Sequence, residues 1–188
     1  MNEELELIFD DASEHMEKSL EFFVHELAGI RAGKASPAML DSVEVEYYGS
    51  KVPLNQVGNV NVRDSQTLTV QVWEKGMLQT VEKAIREANL GFNPVNNGDM
   101  LIINIPPLTE ERRKQLVKKA HEEAEKARVS VRNIRKDAKK HIERLEKNKE
   151  ISEDMAKEAL DKLQKLTDDY IKKIDDRLDK KEKDILTV

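Results

Sequence analysis

The sequence predicts an α+β protein: three long helices form a bundle, and a small β/α/β module is inserted between the first and the second helix. Residues 2–31 and 109–147 place apolar side chains at every third or fourth position, the spacing of a helix face that packs against other helices. Between these two segments the period falls to two, which is typical of strands. The segment 109–147 contains no Gly or Pro, so it predicts a helix about 58 Å long.

The first predicted helix covers residues 2–31. Residues 2–30 carry nine acidic side chains and one Lys, so its outer face is acidic. Its inward face is predicted to consist of Leu5, Phe9, Ala12, Met16, Leu20, Phe23, Leu27 and Ile30. An isolated helix with one apolar face is not stable in water, so it needs partner helices.

The inserted module is predicted from residues 33–107. Strands are expected at 43–48, 59–63, 67–72 and 100–105, with a short helix at 77–88. Tight hairpin turns are expected at Gly49-Ser50 and Asn97-Gly98. Trp73 is expected to fill the core of this module.

The long helix is predicted to begin after Thr109, whose hydroxyl can cap free N–H groups. Ser152 starts a third helix after a short turn, so these two helices should be antiparallel neighbours. His141 is expected to pack in the seam of the long helix. The other predicted seam residues are Val117, Ala120, Ala124, Ala127, Val131, Ile134, Ala138 and Leu145.

The predicted domains are a discontinuous bundle, residues 1–32 and 108–188, and the module at 33–107. The chain crosses between them at 32–37 and 105–108. Two short crossings at one end of a bundle predict a hinge, and therefore an elongated, bent molecule whose module can swing. The hinge residues are Gly33, Pro37, Pro106 and Pro107.

Positive charge is concentrated on the long helix. The whole chain has a net charge of −5, but residues 109–147 hold 14 Lys and Arg against 8 Asp and Glu. Placed at 100° steps, one stripe beside the seam contains no carboxylate between its ends; we call it the basic stripe, and it consists of Lys114, His121, Arg128, Arg132, Arg135 and Lys139. A solvated face is one interpretation. Three arginines at spacings of four and three favour the other, a bidentate contact with an anion such as a sugar–phosphate backbone.

Several classes of function lack support in the sequence. There is no Cys, so disulfides and thiolate chemistry are excluded. Gly29 and Gly33-Lys34 have the wrong spacing for a phosphate loop, and the four His are too scattered for a metal site. The N-terminus lacks a signal-peptide pattern and no apolar run could span a membrane, so we expect a cytoplasmic protein without cofactor, metal or catalytic residues.

Several ordered segments resemble the ribosome recycling factor family. They are IRAGKASPAMLD at 30–41, VEYYG at 45–49, PPLTEERRKQLVK at 106–118, ARVSVRNIRKDA at 127–138, KEISED at 149–154 and QKLTDDYIKKID at 164–175. The resemblance runs nearly end to end. It implies a three-helix bundle joined by a hinge to a small β/α/β module, with an L-shaped, tRNA-like outline.

The resemblance also implies a function. Such a factor binds the post-termination ribosome and, with elongation factor G and GTP hydrolysis, separates the subunits for new initiation, without covalent chemistry of its own. The family's contacts with large-subunit rRNA fall on Arg132 and Arg135, with Arg128 beside them, and Arg31 matches a further basic position. Lys34 stands where family members usually carry Arg, and keeps the charge without the planar fork.

Two other functions stay open at this point. A helical adaptor would bind other proteins through its acidic or apolar faces, with no affinity for ribosomes. A hydrolase would need a cleft with clustered carboxylates of perturbed pKa, to which no spacing points. Because three amphipathic helices suffice to bury one another's apolar faces, we expect a monomer.

Overall fold

The computed structural model of the protein describes residues 2–187. In chain order it contains α1 (Glu3–Ala28), β1 (Glu44–Tyr47), β2 (Ser50–Pro53), β3 (Gly58–Asp64), β4 (Thr67–Val72), α2 (Leu78–Glu87), β5 (Pro94–Asn96), β6 (Leu101–Asn104), α3 (Glu110–Lys147) and α4 (Glu153–Leu186). The predicted α+β class is confirmed, because six strands and one short helix follow the first long helix in the chain and precede the second.

The described residues form two compact units. The helical unit comprises residues 2–30 and 114–183, and the sheet unit comprises residues 31–113 and 184–187. This division differs from the predicted limits in three places. It lies two residues earlier in the first crossing and six residues farther along the second, and it assigns residues 184–187 to the sheet unit. The end of the chain belongs there because the N–H of Gly33 donates to the carbonyl of Asp184 at 3.2 Å and Ile185 is fully buried.

Side-chain caps set where the long helices begin. The Asn2 side chain accepts the N–H of Glu4 at 2.7 Å in α1. Thr109 Oγ1 accepts the N–H of Arg112 at 3.0 Å, which confirms the predicted start of α3. Ser152 Oγ caps α4 in the same way. Each cap satisfies an N–H group that has no partner inside its helix.

The contacts within the helical unit show that α1 and α4 are parallel. Lys162 Nζ lies 4.7 Å from the ring centroid of Phe9, and the Tyr170 hydroxyl donates to Glu17 at 2.8 Å. In both pairs the α4 residue comes 153 positions after its partner in α1, and this separation stays constant only when the two helices run in the same direction. Burial, and then the hydrogen bond to Glu17, raise the pKa of Tyr170 above its ordinary value.

Helix α3 runs antiparallel to α4, as predicted. His121 pairs with Glu182 near one end of α3, and Arg128 pairs with Asp175 farther along it. The partner's number falls as the number in α3 rises, so the chain directions are opposed. The three long helices therefore pack as the expected bundle.

The predicted seam of α3 is wrong at one position, His141, and omits two buried residues, Ile142 and Leu116. His141 is exposed, and the adjacent Ile142 is fully buried in its place, among Leu5, Phe9, Leu145 and the start of α4. Likewise Leu116 is buried, whereas Val117 is only half-buried. The observed steps from Ala138 to Ile142 and from Ile142 to Leu145 are four and three, so the apolar spacing has no gap for His141 to fill. The remaining seam residues are buried or half-buried as predicted.

The sheet unit contains two antiparallel sheets. β1 and β2 form a two-stranded sheet, and the other strands form a four-stranded sheet in the order β3-β4-β6-β5. The core of this unit combines fully buried residues of the larger sheet and of α2, namely Leu68, Val70, Leu101, Ile103, Val81 and Ile85. The short strand β5 was not predicted, because three residues are too few to show a period of two.

The turns and exposed aromatic residues of the sheet unit differ in part from the prediction. The first hairpin turns at Tyr48-Gly49, both with positive φ, one residue earlier than predicted. The second hairpin has a four-residue loop from Asn97 to Met100 instead of a two-residue turn. Trp73 is 60% exposed, so its predicted core position is wrong. Tyr47, the last residue of β1, is half-buried, whereas Tyr48 in the turn is exposed.

Candidate nucleic-acid interface

The basic stripe of α3 lies within the helical unit. Its side chains do not share one environment: Lys114, His121, Arg132 and Lys139 are exposed, whereas Arg128 and Arg135 are half-buried. The partners of each cation decide which of them can accept a new anion.

Arg128 is committed to other parts of the bundle. Its Nε and Nη2 both donate to Asp175 Oδ1, at 2.9 and 2.6 Å, and its Nη1 donates to Glu125 at 3.1 Å. Burial acts to lower the pKa of Arg128, but hydrogen bonds and the charges of Asp175 and Glu125 outweigh it, so that pKa is raised. Arg128 therefore fastens α3 to α4, and little of its guanidinium is left for an external ligand.

Arg132 and Arg135 are the available arginines of the stripe. Arg132 is about half exposed and makes one long contact, from Nη1 to Glu125 at 3.4 Å. The side chain of Arg135 makes no hydrogen bond or ion pair with any residue in 2–187. These two side chains lie three residues apart on one helix face, a spacing at which both can contact neighbouring groups of one ligand.

Carboxylates reach the stripe from outside its own helix face. Asp175 and Glu182 of α4 contact Arg128 and His121, the latter at 3.1 Å. Within α3, Lys139 lies 3.8 Å from Glu143. No carboxylate lies within the stripe along α3, as expected, but Glu125 and Glu143 at its edge and two residues of α4 supply acidic partners.

Arg31 and Lys34 belong to the sheet unit. The Arg31 guanidinium donates to the carbonyl of Pro106, and its Nε is buried without a hydrogen bond. Burial, and then the nearby charge of Arg112, lower the pKa of Arg31. Lys34 is exposed and has no partner among residues 2–187. Arg31, which precedes the first predicted hinge segment, thus contacts Pro106 of the second, whereas Lys34 is open to solvent.

Glu125 and Asp175 are the residues of this surface that the sequence analysis missed. Glu125 lies three residues before Arg128, a helical spacing that could have indicated the pair. Asp175 carries no such signal, because its contact with Arg128 depends on the relative register of two helices.

The Arg128–Asp175 pair leads to a testable prediction about the bundle. Asp175→Asn is expected to lower the free energy of unfolding by about 1 kcal/mol, because it leaves a half-buried guanidinium with less compensating charge, and partial exposure of the pair limits the loss. Urea unfolding followed by helical circular dichroism measures this change. The matched control is Asp179→Asn, an exposed carboxylate one turn farther along α4. Equal effects of the two substitutions would show that the pair does not stabilise the bundle.

The described residues provide neither a metal site nor a membrane span. Within 2–187, no cluster of three or more His, Asp or Glu side chains is arranged to hold a metal ion. None of the helices described combines enough length and apolarity to cross a membrane.

Comparison with known proteins gives one consistent result. The family model for ribosome recycling factor matches residues 23–186. The ribosome-recycling factor of Christiangramia forsetii is 53% identical over 186 residues, which covers 99% of this chain and 100% of the relative. The ribosome-recycling factor of Thermus thermophilus is 50% identical over 182 residues, with 97% and 98% of the two chains covered.

Solved structures agree with the sequence comparisons. A solution structure of a ribosome recycling factor matches with a TM-score of 0.85 and 46% identity over all of both chains. A second match has a TM-score of 0.70 and 49% identity, covering 97% of this chain and 99% of the other. It is the T. thermophilus ribosome recycling factor, described together with the E. coli elongation factor G bound to the E. coli post-termination complex.

Proposed function

Because the chain belongs to the ribosome recycling factor family, we propose that it binds the post-termination ribosome and, with elongation factor G and GTP hydrolysis, separates the subunits for new initiation. A chain that matches its relatives over nearly its whole length has the parts needed for the same action. Ribosomes and elongation factor G are its partners in this proposal.

The proposed contact with large-subunit rRNA uses the basic stripe of α3. The observation that carries it is the state of Arg132 and Arg135: one is weakly paired and the other has no partner within 2–187. A planar guanidinium with free N–H groups suits a phosphate oxygen pair. Lys139 and Lys114 add positive charge to the stripe, and Lys34 of the sheet unit is proposed as a further contact of its own. Arg128 and Arg31 hydrogen-bond mainly within the protein.

The factor's role is mechanical in this proposal. It performs no covalent step and needs no cofactor, and it acts as a cytoplasmic monomer. The fully buried Phe23, Ile142 and Ile174 support the monomer, because the three helices cover one another's apolar faces.

A hinge at 32–37 and 105–108 is the proposed source of motion. Gly33, Pro37, Pro106 and Pro107 are its residues, and both segments consist mainly of irregular backbone. Proline restricts its own φ and the residue before it, which would confine movement to a few bonds.

Pelleting with large ribosomal subunits over a series of salt concentrations tests the rRNA contact. Binding of the unsubstituted chain is expected to weaken as salt rises, because bound phosphates release counterions. The double variant Arg132→Ala/Arg135→Ala should bind more weakly. The plot of the logarithm of its binding constant against the logarithm of the salt concentration should be less steep by about two units, one for each lost phosphate contact.

Both proteins must show the same helical circular dichroism for the comparison to count. A matched double variant, Arg144→Ala/Lys147→Ala, removes two charges from the other end of α3 and should leave the slope nearly unchanged. If the stripe variant binds with an unchanged slope, the rRNA contact lies elsewhere. If the unsubstituted chain does not bind ribosomal subunits at all, a helical adaptor for other proteins becomes the better account.

A further inference from the structure

Glu125 lies beside the basic stripe and contacts two of its arginines. One of its carboxylate oxygens, Oε2, accepts from Arg128 Nη1 at 3.1 Å, and the other, Oε1, accepts from Arg132 Nη1 at 3.4 Å. A single carboxylate therefore bridges the arginine that is fastened to α4 and the arginine that is available to a ligand.

The two halves of this bridge differ in strength. Arg128 is only 20% exposed and is held by two further N–H contacts to Asp175, so it stays where it is. Arg132 and Glu125 are 48% and 57% exposed, and their single contact is long. Exposed ion pairs of this kind are weak and are readily exchanged.

A phosphate that approaches Arg132 must compete with this carboxylate. Both anions need the same guanidinium N–H groups, and a bidentate phosphate contact requires two of them. Because Glu125 is itself anchored to Arg128, it stays beside Arg132 instead of moving freely into solvent. Its negative charge also opposes any anion that comes close.

We propose that Glu125 is a specificity-determining residue of the stripe: it occupies the anion position at Arg132 in the free protein and must be exchanged for a backbone phosphate when RNA binds. This inference rests on the proposed rRNA contact of Arg132. The exchange disfavours isolated carboxylates of other proteins, which gain nothing over Glu125, whereas an RNA backbone presents a row of phosphates. It leaves the Arg128–Asp175 contact in place as the support of the site.

Removing the charge of Glu125 tests the proposal. Glu125→Gln keeps the shape of the side chain but weakens its hold on Arg132, so the variant should bind large ribosomal subunits about two- to fivefold more tightly than its control, the gain expected from loss of an exposed ion pair. The control is Glu122→Gln, which removes the same charge from an exposed side chain of α3 that has no partner within 2–187. The difference between the two variants excludes the general effect of one fewer negative charge.

The same pair of substitutions in an Arg132→Ala background shows whether the effect passes through Arg132. In that background Glu125→Gln and Glu122→Gln should bind equally well, because the Arg132 guanidinium that Glu125 would release is absent. The higher affinity of Glu125→Gln over Glu122→Gln should also become smaller as salt rises, since salt screens the exposed ion pair between Glu125 and Arg132.

Each outcome assigns success or failure to a particular claim. If Arg132→Ala weakens binding but Glu125→Gln binds no more tightly than Glu122→Gln, the exchange is wrong and the rRNA contact stands. Weaker binding by Glu125→Gln would also overturn the exchange and show that Glu125 orients Arg132. If Arg132→Ala has no effect on binding, both the contact and the exchange are wrong.

Discussion

Ile142→Ala is expected to lower the free energy of unfolding of the helical unit by about 2–5 kcal/mol, the usual range for a large aliphatic side chain truncated in a core. Ile142 is fully buried among Leu5, Phe9 and Leu145, together with residues of α4. Its removal leaves a cavity where all three long helices meet, and packed helices close such a space only in part. Urea unfolding followed by circular dichroism at a helical wavelength gives the value.

His141→Ala is the matched control, because it changes the adjacent residue of the same helix. His141 is exposed, so its loss should change stability by no more than about 0.5 kcal/mol. If His141→Ala were the more damaging substitution, the seam of α3 would have the register that the sequence predicted, and the observed register would be wrong.

Gly33→Ala is expected to destabilise the sheet unit by about 1–3 kcal/mol, as overpacking a close contact does. A Cβ atom at Gly33 would lie 2.1 Å from the carbonyl oxygen of Thr187 and 3.3 Å from that of Ile185. These are backbone atoms, so no side-chain rotation can relieve the clash. Moving them would break the hydrogen bond from Gly33 to Asp184 or withdraw the buried Ile185.

Amide hydrogen exchange measures this effect locally. Faster exchange is expected at Gly33, whose N–H loses its partner, in addition to a lower unfolding midpoint. Gly76→Ala is the control, because nothing lies within 4 Å of a Cβ built there. The close approach of the chain end would be contradicted if both alanines had equal effects and Gly33 kept its protection.

Gly33 also shows what the local sequence pattern leaves out. Its sequence context predicts only a hinge residue. The structure adds a contact: the segment 184–187 lies so close that only glycine fits. Residues 33 and 187 are far apart in the sequence, and no local pattern indicates that they meet.

The site was predictable to the extent that it depends on one helix. Periodicity alone places Arg128, Arg132 and Arg135 on a single face of α3, and the structure agrees with that placement. Periodicity does not show that Asp175 binds Arg128, or that Arg135 has no partner within 2–187. These facts separate a structural arginine from the available ones.

The sequence by itself determined the three long helices, most of the strands, the insertion between α1 and α3 and the concentration of positive charge on α3. Each of these follows from local spacing, helix-capping residues and charge counts, which act over a few neighbouring residues. Only the tertiary structure decided that Ile142 and not His141 is buried, that the chain end joins the sheet unit, and that Glu125 bridges Arg128 and Arg132. The physical reason is register: burial and ion pairing depend on how one helix is rotated and shifted against another, and a shift of a single residue exchanges one side chain for its neighbour.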